Sequence, residues 1–272
     1  MINIEKTDVL GWEHVIRGMR NPMNSWEKSD SLFYIDVDYD YEATSYGRTI
    51  NGNYICGIDY FEGEYGDMTI GPNDLKLMHS LAKAGTDHAK FRRMIAVYAD
   101  ITAPLYWWKE FDTYKVGTVA NSCSTMHKIH AKEFTLEDFS CEHLLRLHSG
   151  KELVFNVETG KYEMGDTPVI FTDDGTNFFS PMGILQMTIQ MLNRCRELYL
   201  ATRDKRYWWQ MIQLLPSSYN QKRTVMLNYE VLANIYKSRK DHKLDEWHDF
   251  CGWIKTLPYA EGIIFEGKDD AE

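Results

Sequence analysis

Long apolar runs, paired cysteines and a surplus of positive charge are all absent from this sequence. No apolar run approaches the roughly 18 residues that a membrane-spanning helix needs. The first residues, MINIEKTDVLGWEHVIRGM, carry an acid at Glu5 and lack the uninterrupted apolar stretch of a secretion signal. We therefore expect a cytoplasmic protein that has no membrane partner.

Cysteine usage and net charge argue against two further classes. The five cysteines are scattered and never spaced as CxxC, which disfavours both a disulfide framework and a zinc ribbon. The formal net charge of −10 disfavours long nucleic acid as a partner, since such binding depends on many contacts between cations and phosphates. A small anionic ligand is compatible with this charge, because a few local cations suffice to hold one phosphate.

The common nucleotide and metal motifs are also missing: there is no GxxxxGK[ST], no GxGxxG after a strand and no HExxH. His127 and His130 lie three residues apart and could share a helical face with Cys123 as metal ligands. No fourth ligand accompanies them, so we predict no metal site. Cys123 with either histidine could also form a nucleophile and its base, but the sequence does not place the two groups within reach.

The periodicity of apolar residues predicts an α+β protein. Alternation over residues 2–9 indicates a first strand, and helical spacing indicates a helix over residues 12–19. A second helix is expected from Asn73, as its N-cap, to Gly85. The segment around Pro104 is typical of a strand that enters a helix.

Three longer segments complete this interpretation. Residues from about 28 to 71 are predicted to form an irregular insertion, because they are rich in Asp, Tyr, Gly and Asn. A β-hairpin is expected at about 151–172, with its turn at Thr159-Gly160. The chain is predicted to be mostly helical from residue 180 to residue 257, and residues 1–272 to form a single α+β domain.

One of those helices, predicted from about Thr224 to Arg239, has polar residues at both ends of an apolar stripe. Asn228, Leu232, Ile235 and Arg239 fall on one face. The two ends would be roughly 16 Å apart at 1.5 Å per residue, about the length of an extended dinucleotide-sized ligand. The pattern suits the wall of a ligand pocket. It equally suits a core helix whose polar ends reach solvent.

The stretch APLYWWKEFDTYKVGTVANSC, residues 103–123, changes abruptly from bulky to small side chains. We expect Trp107, Trp108 and Phe111 to pack a helix against the core. We expect the small residues over 117–123 to let backbone N–H groups come close to a ligand.

This stretch resembles the core segment of the flavin-dependent thymidylate synthases, which reads approximately APxxxxRQWxRHRxxSxNExSxRY. Ala103-Pro104 matches its beginning, and Glu110 stands where glutamine is usual. Lys115 and Thr118 keep the chemical character of the last arginine and the serine of the RHRxxS signature. The other arginines of the segment are replaced, by Lys109 and by uncharged residues.

The C-terminal half resembles the family more closely. Leu215-Pro216, Asn228, Asn234 and Arg239 fall at the family's spacing without a gap, and His242 lies near its histidine. An arginine that usually follows the first asparagine by two residues is Glu230 here.

The resemblance implies a helix-rich α+β fold with a mixed or antiparallel sheet, bound FAD, a pyrimidine nucleotide as substrate, and a homotetramer. It assigns cofactor contacts to Asn121, Asn228, Asn234 and His242. Substrate contacts fall to Glu110, Lys115 and Arg239, and catalytic roles to Thr118 and Cys123.

Three functions are compatible with these residues. The first is a divergent flavin-dependent enzyme that methylates dUMP or modifies a related pyrimidine nucleotide, with the standard reaction changed because the arginines are replaced. The alternative is a catalytically inactive nucleotide-binding protein that sequesters its ligand or regulates a partner. The third is a fold kept only as an oligomeric scaffold.

Overall fold

The computed structural model describes residues 2–33, 49–50, 53–54, 68–146, 151–166 and 180–266. Most of the predicted insertion at 28–71 lies outside the described residues, as does the end of the predicted hairpin after residue 166. Among the described residues, no helix combines the length and the apolarity needed to cross a membrane.

The described residues form ten strands and eight α-helices. The strands are β1 (Asn3–Leu10), β2 (Leu32–Phe33), β3 (Thr49–Ile50), β4 (Asn53–Tyr54), β5 (Met68–Thr69), β6 (Ala96–Pro104), β7 (Val119–Ser122), β8 (Lys151–Asn156), β9 (Lys161–Asp166) and β10 (Asn220–Asn228). The α-helices are α1 (Trp12–Arg20), α2 (Pro72–Lys83), α3 (Leu105–Phe111), α4 (Thr125–Lys128), α5 (Pro181–Thr202), α6 (Lys205–Leu214), α7 (Tyr229–Arg239) and α8 (Asp245–Thr256). The first strand, the first helix and the strand that enters a helix at Pro104 are as predicted.

The largest sheet among the described residues has four strands in the order β1-β6-β10-β7. β1 pairs antiparallel with β6, with Asn3 opposite Thr102. β10 pairs antiparallel with β7, with Val225 opposite Ala120. The helix-rich α+β class with an antiparallel sheet is therefore confirmed.

The segment before Asn228 corrects one prediction, because it is strand β10 and not the start of a helix. Val225 and Leu227 are fully buried, whereas Thr224 beside them is exposed. This period of two residues, together with β-branched Thr and Val, is the signature of a strand that covers a core on one face. Helix α7 begins only at Tyr229.

The beginning of helix α2 corrects another prediction. Its first residue is Pro72 and its N-cap is Gly71, so Asn73 is not the cap. The side chain that caps the helix comes from Asp30, whose carboxylate accepts hydrogen bonds from the backbone N–H groups of Asn73 at 2.9 Å and Asp74 at 3.1 Å. The helix ends at Lys83, and the predicted stop at Gly85 is confirmed by its left-handed φ of 97°.

The aromatic residues of α3 pack this helix against the core, as predicted. Trp107, Trp108 and Phe111 are each no more than 1% exposed. The ring of Trp107 lies 4.8 Å from that of Trp247 and 5.5 Å from that of Phe250, both on α8. These contacts fix α3 against α8.

The chain divides into two compact units. The first comprises Ala103–Tyr106 and Cys123–Gln221 and has a core of its own around Phe134, Leu192 and Met211. The second comprises Ile2–Thr102, Trp107–Ser122 and Lys222–Glu272, and it contains most of the four-stranded sheet with α7 and α8. The single domain over residues 1–272 stays a prediction.

Candidate functional site

Polar side chains from three helical segments of the second unit meet at the carboxylate of Glu110. Glu110 is the next-to-last residue of α3, and its Oε2 accepts hydrogen bonds from Arg239 Nη1 at 2.7 Å and Trp247 Nε1 at 3.0 Å. His242 Nε2 lies 3.4 Å from the same oxygen. One oxygen of a partly exposed carboxylate thus faces three nitrogen groups.

The guanidinium of Arg239 is held from several sides. Besides Glu110, its Nε donates to the hydroxyl of Tyr114 at 2.9 Å. Its carbon Cζ lies 4.7 Å from the centre of the Trp247 ring and 5.6 Å from that of Tyr114. Stacking of this kind suits the flat, weakly hydrated guanidinium. The group is oriented by the protein itself before any ligand binds.

The orientation of His242 follows from a neighbouring backbone group. Its Nδ1 accepts the N–H of Leu244 at 3.2 Å, so the hydrogen of the neutral ring is on Nε2, which faces Glu110. The ring also meets Trp247 edge to face, with 6.2 Å between centres.

We call these five residues the Glu110 cluster: Glu110, Tyr114, Arg239, His242 and Trp247. Three of them were predicted as ligand-binding residues from sequence, and the structure brings those three together. Sequence reasoning missed Tyr114, which occupies a position where the family signature has a basic residue. It also missed Trp247, whose only signal was its place in the segment LDEWHDF after Arg239.

Asn228, a predicted cofactor residue, is the N-cap of α7. Its Oδ1 accepts the backbone N–H of Val231 at 3.0 Å, which satisfies one of the free donors at the start of the helix. Its amide nitrogen Nδ2 has no hydrogen-bond partner among the described residues. Asn234, the second predicted asparagine, is exposed on α7.

The segment between α3 and β7 contains predicted residues with unused polar groups. Lys115 is exposed and has no ion-pair partner among the residues that the structure describes. The hydroxyl oxygen of Thr118 is buried and, within the same part of the chain, has no hydrogen-bond partner. Asn121 is exposed on β7, opposite Thr224. As far as the described residues go, the segment therefore offers a free cation and an orphaned hydroxyl.

Cys123 belongs to the first unit, whereas the Glu110 cluster belongs to the second. Its backbone oxygen accepts the side-chain N–H of Gln221 at 2.8 Å. Its neighbour Ser124 caps the short helix α4 by accepting the backbone N–H of His127 at 3.0 Å. The ring of His130 packs against Tyr199, with 5.0 Å between centres. These contacts of the two histidines are structural ones.

The other described cysteines are poorer nucleophiles than an exposed thiol. Burial raises the pKa of Cys141 and of Cys195 above the ordinary value. Burial raises the pKa of Cys251 to about 11. Cys123 is the exposed one among the four described cysteines.

Glu230, which stands where the family has an arginine, forms an ion pair of its own. Its Oε2 lies 3.6 Å from Nη1 of Arg92, and both side chains are largely buried. Burial lowers the pKa of the Arg92 guanidinium, and the charge of Glu230 opposes that shift. Where the family has an arginine at position 230, this chain has a glutamate, and the positive charge beside it comes from Arg92.

The antiparallel sheet and the helices that flank it define the fold of the flavin-dependent thymidylate synthases. Two structures of thymidylate synthase X (ThyX) from Helicobacter pylori, both with FAD and dUMP, are similar to this chain with TM-scores of 0.56 and 0.54 at 14% identity. The similarity covers 98% of both chains in the first comparison and 97% in the second. The resemblance predicted from sequence is therefore confirmed as a resemblance of fold.

A third similar structure is the UMP/dUMP methylase PolB from Streptomyces cacaoi, bound with 5-Br dUMP. Its TM-score is 0.48 at 12% identity, over 96% of this chain and 92% of that one. No protein-family model matches the sequence, and no curated protein matches it either.

Proposed function

We propose that this chain is a divergent flavin-dependent enzyme that modifies a pyrimidine nucleotide, either dUMP or a related one. The observation that carries the proposal is the Glu110 cluster, in which Glu110 meets Arg239, 129 positions later in the chain, and the nearby His242. The fold supports it, because the Helicobacter pylori enzyme with the same fold was solved with FAD and dUMP.

The residues present fit a bound nucleotide and a flavin. The orphaned hydroxyl of Thr118 and the free ammonium of Lys115 are the groups that a ligand would satisfy. We assign FAD contacts to Asn121, Asn228, Asn234 and His242. When bound, FAD supplies hydride chemistry that no side chain can perform.

The chain's own residues would bind and orient the substrate. Among the described residues, Arg239 uses only two of its N–H groups, in contacts with Glu110 and Tyr114, and the remaining ones would donate to a carbonyl of the pyrimidine. Lys115 lies on an exposed segment, from which its flexible side chain can reach a phosphate. Thr118 and Cys123 keep their proposed catalytic roles, Thr118 as a hydrogen-bond donor and Cys123 as a nucleophile.

The same proposal includes the assembly and location implied by the resemblance. We infer a cytoplasmic homotetramer of single-domain chains, with a small nucleotide as the ligand and with no long nucleic acid or membrane as a partner. Sedimentation equilibrium of the purified full chain tests the tetramer. A monomer at micromolar concentration would contradict it.

A specific observation favours a second candidate, a catalytically inactive nucleotide-binding protein. Glu110 neutralises Arg239, Glu230 replaces an arginine, and the signature segment has lost further arginines. Fewer free cations leave less capacity to hold two sets of phosphates at once. This candidate predicts that a nucleotide binds and that flavin does not.

An absorbance spectrum separates the two candidates. The protein is purified without added cofactor, then soaked in FAD and desalted, and the flavin bands are measured each time. Retained bands that disappear in Asn234→Ala but persist in Lys240→Ala support the enzyme, since Asn234 is an assigned flavin contact and Lys240 is an exposed neighbour outside the assigned set. A protein that stays colourless after the soak but binds dUMP supports the second candidate.

A further inference from the structure

We propose that Glu110 determines which ligands the Glu110 cluster binds. Because Glu110 forms an ion pair with Arg239, the cluster excludes phosphate and accepts the edge of a neutral ring that carries C=O and N–H groups. The choice of a ring as ligand rests on the proposed function. The exclusion of anions rests on the geometry of Glu110 and Arg239 alone.

The charge of Arg239 is already paired within the protein. The distance of 2.7 Å between Nη1 and Oε2 is that of a charge-assisted hydrogen bond, and the Arg239 side chain is only 18% exposed. Trp247 Nε1 donates to the same carboxylate oxygen at 3.0 Å, and His242 Nε2 lies 3.4 Å from it. A phosphate that came to this guanidinium would meet the negative charge of Glu110 beside it.

Hydrogen-bonding capacity nevertheless remains on both partners. A guanidinium has five N–H donors, and the described residues accept from only Nε and Nη1 of Arg239. Glu110 Oε1 has no hydrogen-bond partner among the described residues, and the side chain is 34% exposed. The pair therefore presents N–H donors next to a carboxylate acceptor. It is electrically neutral as a whole.

A neutral ring with adjacent C=O and N–H groups is complementary to this pair. The carbonyl accepts from Arg239 while the N–H donates to Glu110 Oε1, so that no charge is left unpaired on either side. Two ligands of the proposed enzyme share this edge: the uracil ring of a nucleotide and the pyrimidine portion of the flavin ring system. Deoxyuridine and riboflavin, which lack phosphate, distinguish the two sources.

Glu110→Gln is the informative variant, because it removes the charge and keeps the shape of the side chain. Inorganic phosphate is titrated at constant ionic strength, and isothermal titration calorimetry measures its binding. We expect phosphate affinity to rise at least about tenfold, the change that accompanies one additional charged hydrogen bond. Glu133→Gln, which changes the same net charge at an exposed site, is expected to bind as the unmodified protein does.

Neutral ligands give the opposite expectation. The unmodified protein is expected to bind deoxyuridine or riboflavin, and Glu110→Gln to bind the same ligand about tenfold more weakly, because an amide lacks the second acceptor. Glu110→Ala also frees Arg239, so it must gain phosphate affinity as well, and a melting curve confirms that each variant is folded.

Equal phosphate affinity in the unmodified protein and in both Glu110 variants would overturn the exclusion of anions. A gain of phosphate affinity with no binding of either neutral ligand would overturn the ring-edge specificity. Neither result depends on catalysis. A failure of the flavin enzyme alone would appear as deoxyuridine binding without riboflavin binding, which leaves this inference standing.

Discussion

The side-chain amide of Asn228 lies directly against the backbone of Gly117. A Cβ atom at position 117 would be 2.8 Å from Asn228 Nδ2 and 3.0 Å from Cγ2 of Val231. Gly117 also has a left-handed φ of 80°, which other residues adopt only with strain. The segment after α3 is thus packed against the N-terminal end of α7 in a way that only glycine permits.

Gly117→Ala is expected to destabilise the protein through both effects. The backbone conformation costs about 1 kcal/mol, and displacement of Asn228 and Val231 adds about 1 kcal/mol or more. Urea unfolding measures the difference. Gly85→Ala is the matched control, since Gly85 has a φ of 97° and a Cβ atom there would meet nothing within 4 Å. Equal losses at both sites would show that the contact with Asn228 contributes nothing.

Substitutions of Asn228 can separate its capping role from its proposed flavin contact. Asn228→Ala is expected to lower the free energy of unfolding by about 1 kcal/mol, because the N–H of Val231 loses its acceptor. Asn228→Ser retains a cap and is expected to unfold as the unmodified protein does. If Nδ2 contacts FAD, Asn228→Ser also retains less flavin after desalting. Unchanged flavin retention in this variant would leave Asn228 with the capping role alone.

The C-terminal region shows how far sequence could go. Helix α7 was predicted through Leu232 and Ile235, and both are fully buried. The sequence predicts its start near Thr224, but the helix begins at Tyr229. The helical spacing from Asn228 to Arg239 is more prominent in the sequence than the two-residue alternation in the preceding strand. A helical pattern and a strand pattern can coexist at a junction, and only the pairing of β10 with β7 decides between them.

The Glu110 cluster marks the limit of prediction for the site. Spacing and resemblance selected Glu110, Arg239 and His242, but nothing local indicates that Glu110 and Arg239 pair with each other. That contact joins residues 129 positions apart and depends on how α3 lies relative to the end of α7. The cap at α2 shows the same limit, because Asp30 lies 43 positions before the N–H of Asn73 that it accepts.

The buried carboxylate of Asp74 predicts acid sensitivity. Burial alone would raise its pKa, but hydrogen bonds from Ser31, Ser29 and Arg20 outweigh burial and hold the pKa below its ordinary value. A carboxylate with a depressed pKa stabilises the fold above its unfolded pKa, and this contribution is lost as pH falls through the folded pKa. The free energy of unfolding should therefore fall as pH drops below about 4.

Asp74→Asn tests this contribution. At pH 7 the variant leaves the buried Arg20 without its counter-charge, and we expect a loss of about 3–5 kcal/mol. The difference from the unmodified protein should shrink as the pH falls below the unfolded pKa and through the lowered pKa of Asp74 in the folded protein. Asp87→Asn, at an exposed carboxylate, should show little effect over the same pH range. A loss that is independent of pH would point to packing and not to charge.

Alkylation rates should rank the cysteines by exposure. With iodoacetamide at about pH 8, we expect Cys123 to react first and Cys251 last, since burial raises the pKa of Cys251 to about 11 and little thiolate forms. Peptide mass spectrometry follows each site, with Cys56, which lies outside the described residues, quantified on its own peptide. In urea the rates should become similar. Early modification of Cys251 in the native protein would contradict this order.

Strand β10 and helix α7 meet at a single residue, since Asn228 is both the last residue of the strand and the cap of the helix. Because no loop lies between them, the end of the strand sets the direction of α7, and Arg239 is the last residue of that helix. Helix α7 is about 16 Å long, so a rotation of a few degrees where it joins the sheet displaces the Arg239 guanidinium by roughly 1 Å. If the sheet stays fixed, the movement that admits a ligand therefore falls to α3 and α8, the helices that carry Glu110 and Trp247.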